Sequence, residues 1–101
     1  MKLIVVMGIE EYADHLRKLF ISHKVPVYSE VPIKGFKLHQ EQHEQDDWFV
    51  HSHVTIYSHL LFAFVDAEKA QELLSAIENY SKEQNLLNPI RAFQLSVEKA
   101  V

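Results

Sequence analysis

The stretch WFVHSHVTIYSHLLFAFV, Trp48 to Val65, limits the fold more than any other part of the chain. It contains no Gly, Pro, Asp, Glu, Lys or Arg and is dense in β-branched and aromatic residues. That composition reads as a strand. Side chains on a strand alternate between faces. The even positions are Val50, Ser52, Val54, Ile56, Ser58, Leu60, Phe62 and Phe64, which are mostly apolar. The odd positions are Phe49, His51, His53, Thr55, Tyr57, His59, Leu61 and Ala63, so three histidines share one face. At about 18 residues the run far exceeds the usual strand of about 5–6. A bend or bulge near Ser58 is therefore expected, and a bulge would reset the parity.

The other elements follow from their own patterns. Lys2–Met7 is a continuous apolar run, as in a strand buried on both faces. Gly8 is expected to end it in a tight turn. A helix is predicted over Glu10–His23, with Tyr12, Leu16, Leu19, Phe20 and His23 on one face and Pro26 forbidding continuation. A second strand is predicted over Val25–Phe36; Pro32 makes it an edge or a kinked segment, and Gly35 marks a bend. Leu38–Asp47 is polar and acidic and reads as an exposed loop. Asp66 is placed to cap a helix over Ala67–Gln84, with Ala70, Leu73, Leu74, Ile77 and Tyr80 on its buried face. A last strand spans Ile90–Val97, with Phe93, Leu95 and Val97 on one face.

The order β-α-β-β-α-β predicts an α+β, ferredoxin-like single domain over residues 1–101, a four-stranded antiparallel sheet with both helices on one face. Right-handed crossovers give the strand order 4-1-3-2. The second sheet face is then bare. With Phe49, Leu61 and either Leu3 or Ile4 on it, that face is expected to pack against another copy of the chain.

Bulk chemistry narrows the function classes. A net charge of −4 argues against a nucleic-acid partner, which would need a basic face. There is no cysteine, which excludes disulfides, thiolate chemistry and thiolate zinc sites. The opening MKLIVVMGIEE is too short an apolar run for a signal peptide or a membrane span, so the expected location is the cytoplasm, without membrane insertion.

Ser29-Glu30-Val31 followed by Lys34-Gly35-Phe36-Lys37 resembles the S-E-V-x-G-F-G stretch that leads into the T-loop of the PII-like signalling proteins, the nitrogen regulatory P-II group, to which the CutA-like divalent-cation tolerance proteins are related. The resemblance implies a homotrimer with the sheets facing inward, and ligands bound between subunits at the base of a T-loop formed here by 37–47. PII proteins that bind ATP or ADP carry a glycine-rich T-G-x-x-G-D-G-K loop before the last strand. The corresponding SKEQNLLNPIRAF, 81–93, has no glycine, so backbone amides cannot approach phosphates closely. ATP or ADP sensing is therefore in doubt.

Two sets of candidate site residues emerge. Lys34, Gly35, Phe36 and Lys37 at the loop base, with Arg91, are candidates for an anionic ligand. His51 and His53 lie at i, i+2 on a strand, about 7 Å apart on one face. With His39 and His43 from the preceding loop they could hold a divalent zinc, nickel or copper ion; the alternative is that the strand histidines pack and hydrogen-bond between subunits. No G-x-S-x-G or hydrolytic triad is present. The leading expectation is a non-enzymatic PII-like regulator signalling through 37–47 to a partner protein such as a membrane transporter or efflux pump. The alternatives are a metal-tolerance protein built on the histidines, and a dimeric ferredoxin-like monooxygenase with His51, His53 and Tyr57 lining a cavity.

Overall fold

The computed structural model of the chain describes residues 1–38, 53–84 and 88–101, with His53 described in its backbone only. Strand β1 (Lys2–Ile9) runs into a 3₁₀ turn (Glu10–Tyr12) and helix α1 (Ala13–Ser22). Then follow β2 (Ser29–Leu38), β3 (His53–Val65), helix α2 (Ala67–Gln84) and β4 (Arg91–Ser96). The strands form one antiparallel sheet in the order β2-β3-β1-β4. This is the α+β, ferredoxin-like βαββαβ arrangement, and the strand order is the one that right-handed crossovers require.

The core lies between the sheet and the helices. Ile4 and Val6 of β1 and Leu61 and Ala63 of β3 meet Leu16 and Phe20 of α1 and Leu73 and Ile77 of α2 in one buried cluster. The helical spacing of Leu16 and Phe20, and of Ala70, Leu73 and Ile77, is what turns those apolar stripes inward. Asp66 caps α2 as expected, its Oδ1 accepting the backbone N–H of Lys69 at 2.8 Å. The helices are also clasped to each other. His15 stacks on Tyr80 with ring centroids 3.9 Å apart. His23 Nδ1 lies 2.7 Å from Glu72 Oε2, and Lys69 Nζ donates to the His23 carbonyl at 2.7 Å.

Several expectations are corrected. Gly8 makes no turn: it pairs with His59 inside β1, and its φ is not positive. A Cβ there would come 3.0 Å from Leu16 Cδ1, so the glycine serves close packing of α1 on the sheet. The chain between Pro26 and Tyr28 is not in a strand; Val25 is buried in the core instead, and β2 starts at Ser29. Gly35 lies in unbroken ladder opposite Ile56, without a bend in register.

The expected bulge near Ser58 does not form. Pairing is continuous from His53 to Val65 with β2 and β1, because two flanking strands hold the long strand straight in register. Its parity therefore runs unbroken, and it places Leu61 under the helices, fully buried, rather than on the bare face. The bare face carries the even positions of β3, including Leu60, Phe62 and Phe64. Leu3, Val5 and Met7 of β1 and Phe93 and Leu95 of β4 share it by register. Ile4 belongs to the core and Leu3 to the bare face. Phe49 lies outside the described residues.

Candidate functional site

The lengths of the strands create a notch. Ile9 of β1 pairs with Ser58, and there β1 ends in the 3₁₀ turn, while β3 begins further out at His53. Among the described residues, 53–57 of β3 pair only with β2. The space where β1 would have continued is an open cleft of about 560 Å³ lined by Ile9, Glu10, Glu11, Thr55, Ile56, Tyr57 and Asn88. Glu10 and Glu11 are both exposed there. Two carboxylates beside polar Thr55, Tyr57 and Asn88 disfavour a phosphate-bearing ligand.

Beside the cleft lies a charge network on the helix-covered face. Arg17 of α1 grips Glu30 of β2 bidentately, Nε to Oε1 at 2.6 Å and Nη2 to Oε2 at 2.8 Å. His59 of β3 meets Glu30 Oε2 through Nδ1 at 2.5 Å. Arg17 Nη1 also lies 3.5 Å from Asp14. The hydrogen bond from Arg17 holds the Glu30 carboxyl below the usual carboxylate range; burial opposes this, and the bond with His59 reinforces it. An ionised carboxylate only accepts, so His59 Nδ1 carries the proton and donates. Glu30 raises the Arg17 value in turn through the same hydrogen bond. Alternation explains the meeting of strand residues: Glu30 pairs with Leu61 and Pro32 with His59, so Glu30 and His59 are diagonal neighbours on one face.

The fold that carries this cleft is a known one. The chain is similar to a PII-like signalling protein from Thermus thermophilus, with a TM-score of 0.65 at 14% identity over 95% of this chain and 85% of the other. The chain has the PII-like fold. It is similar, too, to the periplasmic divalent cation tolerance protein CutA of Archaeoglobus fulgidus, with a TM-score of 0.62 at 15% identity over 100% of this chain and 88% of the other. A third likeness is to CPII, a nitrogen regulatory PII-like protein of Thiomonas intermedia bound to ADP, AMP and bicarbonate, with a TM-score of 0.61 at 14% identity over 99% and 94%. By sequence, the chain matches no described protein family and no curated protein.

Within this PII-like fold the residues singled out from sequence are distributed as follows. Lys34, Gly35, Phe36 and Lys37 all lie in β2, opposite Tyr57, Ile56, Thr55 and Val54. Alternation puts Lys34 and Phe36 on one side of the hairpin and Gly35 and Lys37 on the other. Arg91 begins β4, opposite Met7 on the bare face, three strand spacings or roughly 14 Å across the sheet from β2. One chain does not gather these five residues into a single cluster. His53 opens β3 opposite Leu38, while His39, His43 and His51 lie outside the described residues. Among the described residues, no group of three or more His, Cys, Asp or Glu side chains is placed to hold a metal ion. Sequence reading missed the Arg17–Glu30–His59 network. The signal available was an acidic residue at a strand start facing a histidine, but the partner on α1 shows only once the helix is docked.

Proposed function

We propose that this chain is a PII-like regulatory protein without enzymatic activity. It would assemble as a homotrimer through the bare sheet face, bind a small ligand in the cleft at the hairpin base, and signal through 37–47 to a partner protein such as a transporter. The observation that carries this reading is the cleft, which lies where β3 outruns β1 and thus at the root of the hairpin leading to that segment. The likeness to PII-like structures supports it, and so does the apolar face that includes exposed Phe64, Phe93 and Leu95. Lys34, Gly35, Phe36, Lys37 and Arg91 would reach an anionic ligand jointly only by contributions from neighbouring subunits. Glu10 and Glu11 in the cleft, with no glycine over 81–93, oppose a nucleotide phosphate. Light scattering tests the assembly: a mass three times that of the chain is expected, and a monomer or a dimer would overturn the trimeric reading. Calorimetry with ATP and ADP should show no micromolar binding, and such binding would restore a nucleotide-sensing role.

A second reading is favoured by the likeness to a divalent cation tolerance protein. Here His39, His43, His51 and His53 would bind a zinc, nickel or copper ion. Zinc titrated into wild type and into His51→Ala with His53→Ala separates the readings, since equal affinity in both proteins removes these histidines. Binding should weaken below about pH 6, because ligating imidazoles must be neutral.

A further inference from the structure

We propose that Arg17, Glu30 and His59 form a clamp that sets the width of the cleft between the Ile9–Glu11 turn and the outer end of β3. The inference rests on that cleft being the ligand site proposed above, but its test needs no ligand. The two walls come from different parts of the fold. One wall, Ile9–Glu11, runs directly through the 3₁₀ turn into α1. The other, Thr55–Tyr57, belongs to the part of β3 beyond the end of β1, which among the described residues is held laterally by β2 alone. Among the described residues, the β1–β3 ladder ties these walls together no further out than the Ile9–Ser58 pair.

The charge network adds a second tie one residue behind that pair, at His59, which the ladder sets opposite Gly8, and it joins both β3 and β2 to α1. His59 lies two residues from Tyr57 on the same strand face, Glu30 is its diagonal neighbour on β2, and Arg17 projects from α1 onto both carboxylate oxygens. Each partner is oriented. The bidentate grip fixes the carboxylate plane, and the Nδ1–H bond at 2.5 Å fixes the His59 ring and its tautomer. The Arg17 and Glu30 side chains are 37% and 19% exposed and that of His59 is 18% exposed, so water competes less for this network than for an open surface pair. The clasp of His23, Lys69 and Glu72 does not do this: it joins α1 to α2 at the other end of α1 and touches neither wall. These are positioning residues, since none of the three lines the cleft itself.

The chain has no cysteine, so introduced cysteines can be spin-labelled uniquely. Glu11→Cys with Thr55→Cys places one label on each wall, and dilution with unlabelled protein leaves a single labelled chain per assembly. Pulsed electron–electron resonance then reads the width directly. A narrow distance distribution is expected in the parent. Glu30→Gln should broaden it and move it outward, and nitrogen NMR should show His59 losing its fixed Nδ1–H tautomer. Arg17→Lys keeps the charge without the fork and should give an intermediate broadening; it carries the test should Glu30→Gln fail to fold. Glu72→Gln, in the other clasp, should leave the distribution unchanged. An unchanged distribution in both clamp variants, or equal broadening in Glu72→Gln, would overturn the clamp. A monomeric protein or one that binds no ligand would instead overturn the functional reading and leave the clamp standing.

Discussion

Lys24 shows how a single residue carries a cost for the turn it makes. Helix α1 closes with the backbone N–H of Lys24 on the Ile21 carbonyl at 2.9 Å and that of Val25 on the Phe20 carbonyl at 3.0 Å. That pairing is a Schellman end, which places its pivot residue in the left-handed region, and Lys24 has φ of 60°. A side chain there costs roughly 1–2 kcal/mol, against about 0.5–1 kcal/mol of extra chain entropy for glycine. Lys24→Gly should therefore stabilise by about 0.5–1 kcal/mol, read as a higher urea midpoint with unchanged slope. Glu30 gives a pH signature at the same scale. Its folded carboxyl sits below the usual range, so its contribution is present above about pH 4.3 and is lost as pH falls through the folded value. Wild type should thus lose more stability than Glu30→Gln between about pH 6 and about pH 3, measured by denaturant midpoints across that span.

Among the elements, α2 was the most legible in the sequence, since its cap, its stripe and its end all depend on neighbours within one or two turns. Asp66→Ala should cost about 1 kcal/mol, seen as a lower unfolding midpoint. The order of the strands was legible as well, because handedness leaves few choices. What the sequence hid was which face of β3 turns inward. Both parities contain large apolar residues, and the choice is made by Leu16, Phe20, Leu73 and Ile77 arriving from far along the chain. Gly8 misled for the same reason. Locally it reads as a turn, whereas its lack of a side chain answers to Leu16 across the layer. Gly8→Ala should destabilise by about 1–3 kcal/mol in chemical denaturation, since the new methyl meets a packed side chain. The candidate site was legible only in its location near the loop base; its walls and its clamp depend on contacts between α1, β2 and β3.

At the scale of the whole molecule, the bare sheet face dominates. Phe64, Leu3 and Leu95 lie side by side across β3, β1 and β4 in one row of the register. Phe64→Glu with Leu95→Glu would put charge into the middle of any interface formed there; if the proposed trimer forms through this face, sedimentation should show the double variant as single chains that keep their circular dichroism. No helix among the described residues is long and apolar enough to cross a membrane.

The mismatch in strand length has a mechanical meaning. From the last pair that β1 supports, Ile9 with Ser58, to the pair of Leu38 with His53, the hairpin extends as a two-strand cantilever of about 17 Å at the usual rise per residue. A lever of that length turns angle into travel. A tilt of roughly 5° at its root would carry the far end by about 1.5 Å, which is half a hydrogen bond's reach and enough to make or break a contact with another protein. The pivot lies within a residue of His59.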